Sequence, residues 1–384
     1  MAAVVLGTGW GTNQFVPLLP VYRRALDLGA GTLAALFGLY ALGLIPGLLL
    51  GGPLSDARGR RPVVIPAAAL SLLASVVLMA GAGTVAVLFV GRFLTGISSG
   101  VVFGAGTAWL RESSAGEPNQ VLARRAAVAM TTGFAVGPLV SGLLAQWAPA
   151  PRVVPYLPHV AIMLGVLVLL RGARETVAGD RARPVRLGVP GVASPRFRRV
   201  VVPMAPWVFA SPAIAFAMLP TVVHAGDATD GIALVAAVTS STAAAGVAVQ
   251  PLGRRLAARS TTYNLAAVAG LLVIACALVL GAVTVAHSAL WMLFPCALAF
   301  GAGFGLCMVA GLVEVGHLAH DDGLAGLTAA YYAICYLGFA APYVFTLASH
   351  VAGYATLLVL TAGLALLTAA RVSVVSASRV RSAA

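Results

Sequence analysis

Lysine is absent from the 384-residue chain, acidic residues number only 11, and charged residues of all kinds make up 9%. A soluble globular chain carries about 25% charged residues. A chain this poor in charge, with 60% hydrophobic residues and a mean hydropathy of +0.98, cannot build a water-facing surface of ordinary size. It must face lipid. The formal net charge of +13 would point to nucleic acid in a soluble protein. That reading needs a basic face on a folded water-soluble domain, and there is no room for one here. Nucleic acid is excluded as a partner, and the lipid bilayer takes its place.

Cysteine is also scarce. Cys276, Cys296, Cys307 and Cys335 all lie in apolar runs without CxxC spacing, which excludes a disulfide framework or a zinc site and leaves free buried thiols. No metal and no cofactor is expected. "GAGFG" at 301–305 lacks the third glycine and the strand context of a dinucleotide site. His317 and Asp322 of "HLAHDD" sit in an ordinary inside loop. Neither supports an enzyme.

What the chain has in quantity is long apolar runs, and a helix needs about 20 mostly apolar residues to cross the hydrocarbon core. Split at charged and turn-rich interruptions, the runs give twelve segments. They lie near 2–22, 31–52, 62–82, 85–109, 126–148, 153–171, 200–222, 231–252, 262–284, 288–313, 324–348 and 351–370. The first lacks the charged leader and the cleavage site of a signal peptide and is read as a retained span. With the N-terminus cytoplasmic, twenty of the 24 basic residues, all arginine, fall in inside loops or the C-terminal tail. Arg23, Arg24 and Arg152 fall outside, and Arg92 lies within a span. That bias supports twelve spans with both termini cytoplasmic. Met1 almost abuts the first span with no inside tail to anchor it, so a start upstream of Met1 is expected.

The polar stretch 171–199, rich in Arg, Gly and Pro, reads as a linker. The expected organisation is a six-span half over 1–171, a cytoplasmic linker over 172–199 and a second six-span half over 200–384. "PL" at 53–54 and 251–252, and "FGAG" at 103–106 and 300–303, recur at nearly the same offset, which suggests an internal repeat.

Three motifs in the first half carry chemistry. The inside turn after the second segment reads "GGPLSDARGRRP". Gly52 permits close helix approach and Gly59 a tight turn. Asp56 can accept backbone N–H groups at a nearby helix start, and Arg60 and Arg61 anchor the cytoplasmic side. The spacing of Gly52, Leu54, Asp56, Gly59, Arg60 and Arg61 resembles the G-x-L-x-D-x-x-G-R-[RK] signature of the major facilitator superfamily. In the fourth segment "LFVGRFLTGISSG", with Arg92, Gly96 and Gly100, is similar to a second pattern of that superfamily, Thr95 replacing its usual glutamine. A guanidinium inside a span costs at least a few kcal/mol and normally marks function. Arg92 lies about 10 Å from the outer edge of its segment, so a coupling or substrate role and a snorkelling one both stay open. In the fifth segment "GFAVGPLVSG", with Gly133, Gly137, Pro138 and Gly142, resembles the signature of the superfamily's drug–proton antiporters, with Ser141 at one glycine position. Small residues four apart make a close-packing face, and Pro138 bends the helix.

Other polar groups are weaker candidates. Asn13 and Gln14 are expected to line a central cavity. His159 is a candidate for a proton or substrate role, against a satisfied packing histidine. Glu112 is the expected partner of Arg60, and Glu314 is read as an interface carboxylate. The first segment holds no acid, which leaves a proton carrier there unsupported. In the second half Arg254 of "QPLGRRLAARS" stands where Asp56 would be.

The resemblance implies an all-α membrane protein with twelve transmembrane helices in two pseudo-symmetric six-helix bundles, spans 1, 4, 7 and 10 surrounding a central cavity. Such a protein would work by alternating access, as a monomer in the plasma membrane, with the 52–61 turn latching the cytoplasmic gate. The function it implies is proton-coupled efflux of a small organic molecule. The alternative is a facilitator or symporter that imports a metabolite.

Overall fold

The computed structural model describes the backbone of all residues except 114–118, 180–190, 260–263, 320–323 and 384, and, of those described, all side chains except 82, 119–127, 325 and 376–383. The described chain is helical throughout, with no strand among the described residues. Among the described residues, eleven helices are long and apolar enough to cross a membrane. They are α2 (Ala30–Arg58), α3 (Arg61–Ala80), α4 (Val85–Glu112), α5 (Val128–Trp147), α6 (Val154–Arg171), α7 (Phe197–Val222), α8 (Gly231–Arg259), α9 (Leu265–His287), α10 (Leu290–Leu318), α11 (Gly326–Ala348) and α12 (Tyr354–Val375). Large apolar side chains such as Leu169 and Leu367, each 69% exposed, point outward, as lipid-facing residues must. This is a multi-pass membrane protein.

The first apolar segment forms three pieces rather than one span. α1 (Ala2–Asn13) is followed by a 3-10 turn at Val16–Leu18 and a short helix at Leu19–Leu26. Pro17 and Pro20 lack the N–H that would continue an α-helix, and each sits at the start of one of the short pieces.

At their arginine-bearing ends the helices run past the apolar segments. α2 continues through Arg58 and α8 through Arg259, because residues beyond the hydrocarbon need no apolar side chain to stay helical. The stretch from Gly52 to Arg58 is therefore helix, and the turn is confined to Gly59 and Arg60.

By packing, the described chain divides into two compact units. The first holds α1 to α6 together with residues 229–240 at the start of α8. One of its cores joins Val5 of α1, Val64 and Ala68 of α3, Trp109 of α4 and Met163 of α6. α2 and α4 meet through glycines: a Cβ on Gly47 would lie 2.5 Å from the Ile97 carbonyl, and one on Gly51 2.8 Å from the Val101 Cα. Only small residues allow backbones this close. α4 also carries a π segment at Val102–Gly106. The second unit holds α7, the rest of α8 and α9 to α12. Within it Gly270 of α9 seats against Cys307 of α10, where a Cβ would meet the sulfur at 2.6 Å. The cysteines are free, with Cys276 exposed and the other three buried.

Candidate functional site

α2 ends at Gly59, whose φ of 98° and ψ of 158° lie in a region essentially restricted to glycine. α3 then starts with backbone N–H groups that need acceptors. Glu175, from the segment after α6, supplies them: its Oε1 accepts the Arg60 N–H and its Oε2 the Arg61 N–H, each at 2.8 Å. Burial alone would raise the Glu175 carboxyl, but the N–H groups of Arg61, Arg60, Val177 and Thr176 outweigh it and hold it below its ordinary value.

The acceptor role expected of Asp56 is thus filled by Glu175. Asp56 instead pairs with the Arg60 guanidinium, Nη1 to Oδ1 at 2.6 Å. Arg60 is 6% exposed and also donates through Nε and Nη2 to the two Glu112 oxygens, at 3.0 and 2.7 Å. Burial opposes the Arg60 charge, yet Glu112 and Asp56 together raise its pKa above the ordinary value. The chain after α6 straps this cluster down. Thr176 donates to Glu112 at 2.6 Å, Trp109 to the Arg174 carbonyl at 3.0 Å, and Arg61 to the Arg171 carbonyl at 3.1 Å. Gly52 makes no close approach, since a Cβ there would meet nothing within 4 Å. Close packing ends one residue earlier, at Gly51, and Leu54 is partly exposed.

Arg92 on α4 is 1% exposed, so it does not snorkel. Its Nε donates to the Leu36 carbonyl at 3.1 Å, Nη1 to that of Thr12 at 3.3 Å and Nη2 to that of Phe37 at 3.3 Å. The Phe15 and Tyr40 rings lie 4.8 and 5.0 Å from its guanidinium carbon. Thr12 stands in the last turn of α1, where carbonyls lack helical partners and the helix dipole favours a cation. The break in α1 therefore creates one of the acceptors that hold the guanidinium.

Asn13 is half-buried, whereas Gln14 is fully buried and lines no open space. Gln14 Nε2 donates to Ser75 Oγ at 2.9 Å, and Ser75 Oγ lies 2.8 Å from His159 Nδ1. With its oxygen accepting from Gln14, Ser75 is placed to turn its hydroxyl proton to Nδ1, which matches a neutral ring protonated on Nε2. Gly11 leaves room for that ring, since a Cβ there would lie 2.5 Å from Nε2.

The Gly133–Gly142 motif on α5 packs against α1. A Cβ on Gly133 would lie 2.7 Å from the Trp10 nitrogen, and one on Gly137 2.9 Å from the Trp10 Cα. Pro138 lies inside the helix, Ser141 donates to the Gln14 carbonyl at 2.7 Å, and Gly142 faces Pro17, 3.0 Å from its Cβ position. Gln146 then caps the start of α8, its Oε1 accepting the Ile232 N–H at 3.0 Å.

A family model described as Major Facilitator Superfamily matches residues 1–342. The chain belongs to the major facilitator superfamily. Multidrug resistance protein MdtL of Escherichia coli O45:K1 is 34% identical over 111 residues, which cover 29% of this chain and 28% of that protein. MdtL of Escherichia coli O139:H28 is 33% identical over the same shares. The chain thus matches a little over a quarter of the length of these curated relatives. Among solved structures, a point mutant of the nucleoside transporter NupG superposes with a TM-score of 0.75 at 14% identity, over 97% of both chains. A POT family transporter in complex with 5-aminolevulinic acid gives 0.76 at 11% identity, over 97% of this chain and 95% of that one. At such identities the likeness is one of fold.

The chain's place in the superfamily rests on a match that covers its first compact unit and extends into the second. The second unit carries its own ion pair, on a buried carboxylate: Arg196 holds Glu314 through Nε and, at 2.9 Å, through Nη2. Hydrogen bonding to Glu314 raises the Arg196 pKa despite its burial, and Asn264 donates to the same carboxylate at 3.4 Å. Glu175 and Arg196 were not singled out in the sequence, because each lies more than 100 positions from its partner. The one available signal was a carboxylate or arginine just beyond a span end. The side chains of Arg124, Arg125, Arg379, Arg381 and Asp322 lie outside the described residues.

Proposed function

We propose that this facilitator is a proton-coupled exporter of a small amphipathic organic molecule. It would sit as a monomer in the plasma membrane, with twelve spans in two six-helix halves and both termini cytoplasmic. The observation that carries the reading is the seating of the antiporter-like residues Gly133 and Gly137 on the α1 backbone at Trp10. Ser141 of the same motif extends that contact to Gln14, which leads through Ser75 to His159. A small-residue face lets α5 and α1 shift against each other at low steric cost, and a titratable group lies at the end of the polar chain they share. His159 is the one buried histidine among the described residues, and we assign it the proton. The partial likeness to multidrug resistance proteins supports the direction of transport. Glu175, Arg60, Glu112 and Asp56 form the cytoplasmic latch that one gate state keeps and the other releases.

Expression in an efflux-deficient bacterial strain tests this reading. Cells carrying the protein should retain less of at least one dye from a panel of neutral, anionic and cationic probes, and an uncoupler should abolish the difference. Retention unaffected by the uncoupler would remove proton coupling from the account.

A further inference from the structure

We infer that the transported molecule is an aromatic organic acid, and that Arg92 selects it; this rests on the transporter reading above. The spans hold only three of the 11 acidic residues, Asp56, Glu112 and Glu314. Each lies within five residues of its helix end, and each is paired with an arginine. The middle of the membrane domain therefore offers no carboxylate to receive a cationic ligand. It does offer a fixed cation, since Arg92 stands seven residues in from the Val85 start of α4.

Arg92 is closed to solvent here, so a ligand reaches it only in a gate state that opens this packing, and the contacts it would displace there are weak. A guanidinium carries five N–H donors, and Arg92 uses three, all on neutral carbonyls. The two bonds from Nη1 and Nη2 are both 3.3 Å long, against about 2.7–2.9 Å for a charge-assisted pair. A carboxylate would replace them with shorter, stronger bonds in the two-point geometry that a guanidinium favours. Phe15 and Tyr40, 0% and 2% exposed, cover the same guanidinium, so in the opened state an aromatic body joined to that carboxylate would meet these two rings. A cation about 10 Å from Arg92, at an effective dielectric of about 20, loses roughly fifteenfold in affinity by repulsion alone.

Three probes that share one ring system test the inference: 9-anthracenecarboxylate, 9-anthracenemethanol and 9-anthracenemethylammonium. Binding to the full chain in lipid nanodiscs is measured by equilibrium dialysis, with empty discs subtracted. The carboxylate should bind more than tenfold tighter than the ammonium, with the alcohol between. The order should collapse to within about threefold in Arg92→Gln and persist in Arg92→Lys. The inference is overturned if the ammonium binds as well as the carboxylate, if none of the three exceeds empty discs, or if the order survives in Arg92→Gln. The wild-type order alone decides the matter should the variants not fold. The assay applies no gradient, so loss of proton coupling would remove the export reading and leave this result standing.

Discussion

Glu175 Oε1 accepts the backbone N–H of Arg60 at 2.8 Å across 115 positions of sequence. A carboxylate from the segment after α6 thereby caps the first turn of α3 and closes the turn that holds Gly59. The polar network around Arg60 depends on this cap, because Thr176, the next residue, holds Glu112 in place.

The cap has a pH signature. The folded carboxyl of Glu175 lies below its ordinary value, so its stabilisation is fully present above the unfolded pKa, about 4.3. It is lost as pH falls through the lower folded value. Glu175→Gln should cost about 0.5–1 kcal/mol at neutral pH, in the lower range for lost N-terminal caps because the residue is exposed. Thermal unfolding in detergent from pH 7 to pH 3 should show wild type and variant converging at the acid end.

Gly59→Ala should destabilise by about 1–3 kcal/mol, because its backbone region excludes side chains. The added Cβ would also lie 2.8 Å from Glu175 Oε2. Combining it with Glu175→Ala removes the contact but not the backbone strain. A double-mutant cycle on unfolding midpoints should show partial relief, with most of the Gly59→Ala cost remaining.

Arg60→Ala should impair transport more than Glu112→Gln, because Arg60 serves Asp56 and Glu112 together whereas Glu112 keeps its bond from Thr176. Exchanging the charges at 60 and 112 should restore less than half of the lost rate, since glutamate at 60 would face Asp56. Initial uptake rates in vesicles at matched protein levels check the order. Full recovery in the exchanged variant would remove Asp56 from the network.

Two glycines of the recognised motifs should behave oppositely. Gly133→Leu places a side chain onto the α1 backbone at Trp10 and should abolish folding or transport. Gly52→Ala meets open space and should stay within about 0.5 kcal/mol of wild type, the usual range for surface changes. Size-exclusion profiles and uptake rates separate the two cases.

Much of the membrane architecture was legible because apolar length is a local property of the chain. Eleven of the expected segments are long apolar helices. The first was legible as apolar but not as broken, since Pro17 and Pro20 act through backbone donors that hydropathy ignores. At the site, residue types and spacing marked Arg60, Arg92 and Gly133 for attention, but not what they touch. Asp56 looked like the helix cap because it is near in sequence, whereas Glu175 takes that role from beyond the end of α6. Gln14 looked like a cavity residue because it is polar in an apolar segment. Its burial depends on Ser75 and Ser141, which only the fold brings to it.

The central claim, proton-driven export, is tested most directly with purified protein in liposomes at zero membrane potential. A pH gradient is imposed, acid inside, and uptake of a dye that passed the cell assay is followed into the lumen. The account predicts accumulation above the external concentration, release on adding nigericin, and loss of accumulation in His159→Gln with dye exchange at equilibrium retained. Uptake that stops at equal concentrations, at the same rate with or without the gradient, would contradict it.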